Sequence, residues 1–154
     1  MVSAKAILVA LQALPLCWQD RADPRKPAQY DTIAQAVSAE TRDVSEAAEV
    51  VALGYSETRF CLRVHEGKWR GKASGPWQVE NSGDLTGLGL DETRRSLRAA
   101  LGIWRRSWQC GPTWADRFTA YAGRGCQTIW PTLEQRVARA KFTRLVIWKE
   151  EQQA

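Results

Sequence analysis

The stretch that most constrains the fold is 45–61, which reads S-E-A-A-E-V-V-A-L-G-Y-S-E-T-R-F-C. The stretch predicts a helix that starts at Ser45, and at 100° per residue its apolar side chains fall on one broad face, as in a helix that packs against a core. Glu57 lies within that face, between Val50 and Leu53, whereas Glu49 points away from it. A carboxylate that faces a core must be neutralised, paired or used, so Glu57 is the first candidate functional residue.

Helical spacing recurs in five other segments, each with its own start signal. The predicted helices start at Ser3 (with Ile7, Leu8, Leu11 and Leu14), Asp31 (Ile33, Ala34, Val37), Asp91 (Leu97, Leu101, Trp104, Trp108), Thr113 (Trp114, Phe118, Tyr121, ending at Gly123) and Pro131 (Leu133, Val137, Ala140, Ile147). Residues 19–30 read as a polar loop, and 61–90 hold six glycines without a sustained period. We therefore predict a mainly α fold with an irregular loop or small hairpin in the middle.

The length of 154 residues fits a single domain with a real core. We divide it into an N-terminal helix and loop (1–30), a motif-bearing core (31–125) and a C-terminal helix (126–154). The net charge is +5, and residues 76–154 carry twelve Lys and Arg against eight acids. This suits a polyanionic partner, but it equally fits a solvated arginine-rich surface.

Residues 1–17 begin with a lysine and a mostly apolar run, as a signal peptide does. Gln12 interrupts the run and no A-x-A-like cleavage site follows, so the pattern favours a packed helix over an export signal. No apolar run approaches the length of a membrane span.

The four cysteines, Cys17, Cys61, Cys110 and Cys126, contain no C-x-x-C pair, which argues against a structural zinc site. Three pairings are open. A bridge between Cys110 and Cys126, which flank one predicted helix, is the best candidate, and reduced buried cysteines are the alternative.

Three short motifs occur in order along residues 45–125. They are S-E-T-R-F (56–60), A-S-G-P-W-Q-V (73–79) and A-Y-A-G (120–123). The series resembles the lytic transglycosylases of the lysozyme-like superfamily, whose motifs are Glu-Ser-x-Phe, Gly-Leu-Met-Gln and Ala-Tyr-Asn-Ala-Gly. Thr58 replaces the Ser, Pro76 and Trp77 replace Leu-Met, and Ala122 replaces the Asn.

The resemblance implies a lysozyme-like domain that cleaves the β-1,4 bond between N-acetylmuramic acid and N-acetylglucosamine in peptidoglycan. Glu57 would be the general acid and then the base, without a cofactor or metal. Gln78 and Thr58 would contact the glycan, Trp77 would stack on a sugar ring, and Tyr121 would orient the catalytic carboxyl. The partner would be glycan strands at the bacterial cell wall, in the periplasm or as part of a phage particle or secretion machine.

The residues also support this chemistry directly. Breaking a glycosidic bond needs an acid that protonates the leaving oxygen. A carboxyl in apolar surroundings keeps its proton to a higher pH, and the C-terminal end of a helix dipole acts in the same direction. We therefore expect Glu57 to be protonated near neutral pH.

Several alternatives stay open. Glu57 could instead pair with a buried arginine, for which Arg98 or Arg139 would serve. A second carboxylate, drawn from Glu66, Glu80 and Asp84, would make the enzyme a hydrolase of the muramidase type.

A third alternative is a non-catalytic basic module that binds nucleic acid through the arginines of the Asp91 helix: Arg94, Arg95, Arg98, Arg105 and Arg106. No recognisable nucleic-acid motif accompanies them. Trp69 is a weaker sugar-stacking candidate, whereas Trp104, Trp108 and Trp148 read as core. His65, the single histidine, receives no role.

Overall fold

The computed structural model describes residues 1–67, 73–80, 88–122, 126 and 132–154, and their fold is mainly helical, as predicted. The helices are α1 (Ala4–Ala13), α2 (Lys26–Glu40), α3 (Val44–Thr58), α4 (Leu62–His65), α5 (Leu90–Ser107), α6 (Trp114–Tyr121) and α7 (Leu133–Gln152). A short antiparallel hairpin pairs β1 (Ala73–Ser74) with β2 (Val79–Glu80). Within these ranges no helix combines the length and apolarity that crossing a membrane requires.

Helix starts follow local side-chain caps. Ser3 and Thr113 each accept a hydrogen bond from the backbone N–H three residues on, at 3.1 and 3.2 Å, which confirms both predicted caps. For α3 the cap is Asp43 and not Ser45, because the Asp43 carboxylate accepts the same kind of bond at 2.8 Å. These short-range bonds set the helix boundaries before any tertiary contact is considered.

Two further predicted starts are wrong. Helix α2 begins at Lys26, five residues before Asp31. Its first turn contains Pro27, which is tolerated there because backbone N–H groups of the first turn donate no hydrogen bond within the helix. Helix α2 therefore crosses the proposed segment boundary after residue 30. Helix α5 is capped by Gly89, and Asp91 lies in its first turn, where the charge favours the helix dipole.

Helix α3 is the central element of the fold. It packs most extensively on α7, while α1 packs against α2 and α7, and α5 lies against α2 and α6. Every residue of α3 from Glu46 to Tyr55 is buried, so the helix is enclosed and has no solvent-facing side over this span. The one-faced helix expected from the sequence is therefore wrong in this region.

Both disulfides join segments next to helix ends. Cys110 bonds to Cys126, which confirms the predicted bridge, and Cys17 bonds to Cys61. The second pair fixes the loop after α1 to the residue that precedes α4, directly beyond the end of α3. It therefore restrains the turn that follows Glu57.

Candidate active site at the end of helix α3

The chain leaves α3 through a turn of two left-handed residues. Arg59 and Phe60 have φ angles of 50° and 51°, which residues other than glycine rarely adopt. The turn is held by burial of the Phe60 ring and by its carbonyl, which accepts hydrogen bonds from Lys26 Nζ at 2.6 Å and Gln29 Nε2 at 2.8 Å. Strained backbone that is held this firmly is typical of functional sites.

A glycine in α3 makes room for this turn. A Cβ on Gly54 would lie 2.5 Å from Phe60 Cε1 and 2.8 Å from Trp77 Nε1. The two rings meet edge to face, with centroids 6.1 Å apart. The close approach of three segments thus fixes the end of α3 against the hairpin.

The Glu57 carboxyl lies at a cavity mouth and is paired. Its side chain is 22% exposed, and Oε1 accepts a 2.5 Å hydrogen bond from Arg136 Nη1 of α7. The apolar surroundings expected for Glu57 are therefore wrong, because α7 brings a buried guanidinium to the carboxylate.

The alternative of an ion-paired glutamate describes this geometry better, but with a different partner. Arg98 instead binds Glu40, and Arg139 donates to the Ser56 hydroxyl at 3.3 Å. Pairing does not decide whether Glu57 acts on a substrate, so its catalytic role stays a prediction.

Gln78 and Glu57 line the same cavity, of 330 Å³. The cavity is lined by Ser56, Glu57, Thr58, Arg59, Val64 and Gln78. Gln78 also has a left-handed backbone, with φ at 49°, and its Nε2 donates to Gly75 O at 3.0 Å. Two residues that are distant in the sequence thus meet in one concave site, next to strained backbone on both sides.

Thr58 connects the helix to the hairpin. Its Oγ1 lies 2.9 Å from Pro76 O and 3.0 Å from Gly54 O, and it accepts the Phe60 N–H at 3.1 Å. The buried hydroxyl is thus committed to the protein, and its predicted role in substrate binding stays untested.

The sugar-stacking role expected for Trp77 is wrong. The indole is fully buried, and its Nε1 donates to Val50 O of α3 at 2.8 Å. A ring without an exposed face cannot stack on a sugar. Trp77 is instead the side chain that holds the hairpin on the central helix.

Tyr121 fixes the hairpin from the other side. The resemblance implies a hydrogen bond from Tyr121 to the Glu57 carboxyl. The Tyr121 hydroxyl instead donates to Trp77 O, at 2.9 Å. Burial raises the pKa of Tyr121 far above its ordinary value, and the negative charge of Glu57 adds to this. Tyr121 is thus close enough to Glu57 to sense its charge and positions the Gln78 loop.

Sequence reasoning missed a buried polar network beneath the turn. Lys26 forms a buried ion pair with Asp20 at 2.7 Å, and Gln29 Nε2 lies 3.1 Å from His65 Nδ1. His65 Nε2 in turn lies 2.9 Å from Thr93 Oγ1. The members come from α2, α4, α5 and the segment between α1 and α2, so only the folded chain brings them together.

The other predicted carboxylates do not join the site among the described residues. Glu66 pairs with Arg25. The Glu80 side chain, Asp84 and Trp69 lie outside the described residues, as do Gly123 and Pro131. The second carboxylate therefore stays a prediction. Within the described ranges, no group of three or more His, Cys, Asp or Glu residues could hold a metal.

Glu49 lines a second and larger cavity, of 660 Å³. Glu49 was expected to point outward, but it is buried, and it accepts hydrogen bonds from the indoles of Trp104 at 2.7 Å and Trp114 at 2.6 Å. Burial raises the pKa of this carboxyl. Because both of its oxygens already accept bonds from the protein, Glu49 is a less suitable acid for a substrate than Glu57.

Two tryptophans expected in the core are at the surface. Trp104 is buried as predicted, whereas Trp108 is 40% and Trp148 is 52% exposed. Trp148 lines the larger cavity together with Lys141 and Arg144.

The arginines of α5 are largely engaged by acids. Arg94 and Arg98 bind Glu40, and Arg105 binds Glu46, at 2.6 to 2.9 Å. Their charge is thus partly neutralised within the protein, which weakens the case for a phosphate-binding face on this helix.

The chain matches no protein-family model, no curated protein and no solved structure. The geometry at the end of α3 is therefore the basis for assigning a function.

Proposed function

We propose that this protein is a peptidoglycan-cleaving glycosidase of lysozyme-like fold, acting as a lytic transglycosylase with Glu57 as its acid and base. One observation carries the proposal. The Glu57 carboxyl and Gln78 line the same 330 Å³ cavity, next to left-handed backbone at Arg59, Phe60 and Gln78. A partly exposed carboxyl on a rigid buried helix is positioned to reach a bound glycan.

The reaction needs two proton transfers at one carboxyl, which gives up one proton and then takes up another. Glu57 donates a proton to the glycosidic oxygen as the bond between that oxygen and the anomeric carbon breaks. The resulting carboxylate then takes the proton of the muramic acid 6-hydroxyl, whose oxygen attacks the anomeric carbon and closes a 1,6-anhydro ring. In this scheme Glu57 must exchange its bond to Arg136 for the substrate before it can act as the acid.

The alternative on the same site is hydrolysis, in which water replaces the 6-hydroxyl and yields a reducing end. That route commonly uses a second carboxylate. Glu66 is engaged by Arg25, so a transglycosylase with a single glutamate fits the described residues better.

The test is digestion of purified peptidoglycan by the wild type, Glu57→Gln and Asp31→Asn, with the products identified by mass spectrometry. Asp31 is an exposed acid of α2 and serves as the matched control. We expect anhydro-muropeptides from the wild type and from Asp31→Asn, with the rate in Glu57→Gln reduced about 10²- to 10⁴-fold.

Reducing-end products that depend on Glu57 would replace the transglycosylase assignment by a muramidase. Equal rates for the wild type and Glu57→Gln, or no cleavage by the wild type, would refute the proposed mechanism.

A second candidate function is a non-catalytic module for polyanions. It is favoured by the larger cavity, where Lys141 and Arg144 stand beside the exposed Trp148 and make no ion pair within the described ranges. Salt-dependent retention of the protein on immobilised single-stranded DNA, abolished in Lys141→Ser/Arg144→Ser, would support this module, and passage through the column at low salt would exclude it.

A further inference from the structure

A third cavity, of 180 Å³, adjoins the Glu57 cavity. The two share Ser56 and Arg59 in their linings, so they are neighbours. The lining of the smaller cavity also includes Arg136 and Arg139 of α7. Three arginines thus line a space that is too small for a polymer but sufficient for one small oxyanion.

Among the residues that the structure describes, the arginines that line this cavity outnumber the acids that pair with them. Glu57 pairs with Arg136, but neither Arg59 nor Arg139 forms an ion pair with an acid that the structure describes. Burial lowers the pKa of Arg139, and repulsion from Arg59 and Arg136 lowers it further. The repulsion between these like charges is relieved when an anion binds in the cavity, so the arrangement favours anion binding.

The Arg139 side chain is held in place for such a ligand. Its guanidinium lies over the Tyr55 ring, 4.9 Å from the centroid, and Nη1 donates to Ser56 Oγ. The Tyr55 hydroxyl in turn donates to Pro15 O at 2.8 Å, which fixes the ring. A guanidinium positioned by stacking loses less conformational freedom when it binds an oxyanion through two parallel bonds.

We propose that this cavity is an anion subsite that receives a carboxylate carried by an acidic saccharide in the Glu57 cavity. The inference rests on the proposed function, because it assumes that a saccharide occupies the neighbouring space. The incoming carboxylate competes with Glu57 for Arg136 and so frees Glu57 from its ion pair. Acidic substrates thereby prepare the catalytic group, whereas neutral saccharides leave it bound.

The binding test compares N-acetylmuramic acid with N-acetylglucosamine, which lacks the lactyl carboxylate, by isothermal titration calorimetry at fixed ionic strength. Inorganic phosphate is the third probe and represents a free anion. Because charge-assisted hydrogen bonds contribute about 1.5 to 3 kcal/mol, we expect the acidic sugar to bind at least about tenfold more tightly than the neutral one.

The variants are Arg139→Gln, Arg139→Lys and Arg144→Gln. Arg144 is the matched control, because it lies on the same helix, faces the larger cavity and loses the same charge. We expect Arg139→Gln to abolish the preference for the acidic sugar, Arg139→Lys to restore part of it, and Arg144→Gln to retain it. Thermal unfolding of each variant verifies that it is folded.

Equal affinity for the two sugars, or an equal loss of preference in Arg144→Gln, would overturn the subsite. Phosphate that binds as tightly as N-acetylmuramic acid and depends on Arg139 would make it a site for free anions, and would overturn the saccharide assignment.

Activity separates this inference from the proposed function. If glycan strands that carry free carboxylates are cleaved, Arg139→Gln should raise KM and lower kcat, because the substitution weakens carboxylate binding and leaves Glu57 paired with Arg136. If the wild type does not cleave peptidoglycan, the proposed function fails, and the sugar titrations decide the subsite by themselves.

Discussion

Lowering the pH from 7 to 5 is expected to destabilise this protein through one buried histidine. His65 is 2% exposed, and its two ring nitrogens lie within hydrogen-bonding distance of Gln29 and Thr93. Burial lowers the pKa of His65 to about 4 from its ordinary 6.5, with a smaller contribution from the charge of Lys26 and a small opposing one from Glu66. The folded protein therefore holds this imidazole neutral.

The sign follows from proton counts in the two states. Between pH 6.5 and 4 the unfolded chain binds more protons at this position than the folded one, so acid favours unfolding. The stabilisation is complete above pH 6.5 and is lost as the pH falls towards 4. The free energy of unfolding should fall by about 2 kcal/mol between pH 7 and pH 5, and by about 3 kcal/mol at pH 4.

The measurement is urea unfolding followed by tryptophan fluorescence at pH 7 and pH 5, for the wild type and His65→Gln. The buried Glu49 carboxyl, with its raised pKa, acts in the opposite direction, so the difference between the two proteins is the quantity that matters. His65 is the single histidine, so the variant removes this titration completely. Parallel pH dependence in the two proteins would refute the reasoning.

Two further outcomes concern stability. Gly54→Ala should lower the free energy of unfolding by about 1 to 3 kcal/mol, because its Cβ would lie 2.5 Å from the fixed Phe60 ring; an unchanged urea midpoint would contradict this packing. The Cys17–Cys61 bridge, with a sequence separation of 44 residues, should stabilise by about 4 kcal/mol, against about 3 for the bridge separated by 16. Paired Cys→Ala variants compared by thermal unfolding should show this order, and the reverse order would contradict the loop-entropy account.

Local chemistry in the sequence was sufficient for the helical fold. Ser3 and Thr113 cap helices through bonds that span three residues, so the signal and the structure lie in the same short segment. The bridge between Cys110 and Cys126 is similarly local, with a sequence separation of 16 residues. Local reasoning failed at Pro27. This proline lies in the first turn of α2, but residues 19–30 were predicted to be a loop.

The environment of Glu57 depended on a contact that periodicity does not encode. Arg136 reaches it from α7, and nothing in residues 45–61 specifies that partner. Periodicity also wrongly predicted that Glu49 points to solvent. Helix α3 is buried on all sides over this span, so its polar residues do not mark a solvent-facing side. The motif series indicated Glu57 and Gln78, and the tertiary structure brought them to one cavity.

The sequence by itself thus determined the longer helices, the caps at Ser3 and Thr113 and the candidate glutamate, because these depend on neighbours within one or two turns. The tertiary structure alone decided which side chains surround that glutamate. The hairpin residue Trp77 is buried against α3, and Glu57 is paired with Arg136. Arg59 and Arg139 line the cavity next to this ion pair. Those contacts join α3 to α7 and to the hairpin, and the free energy of packing all three together selects them.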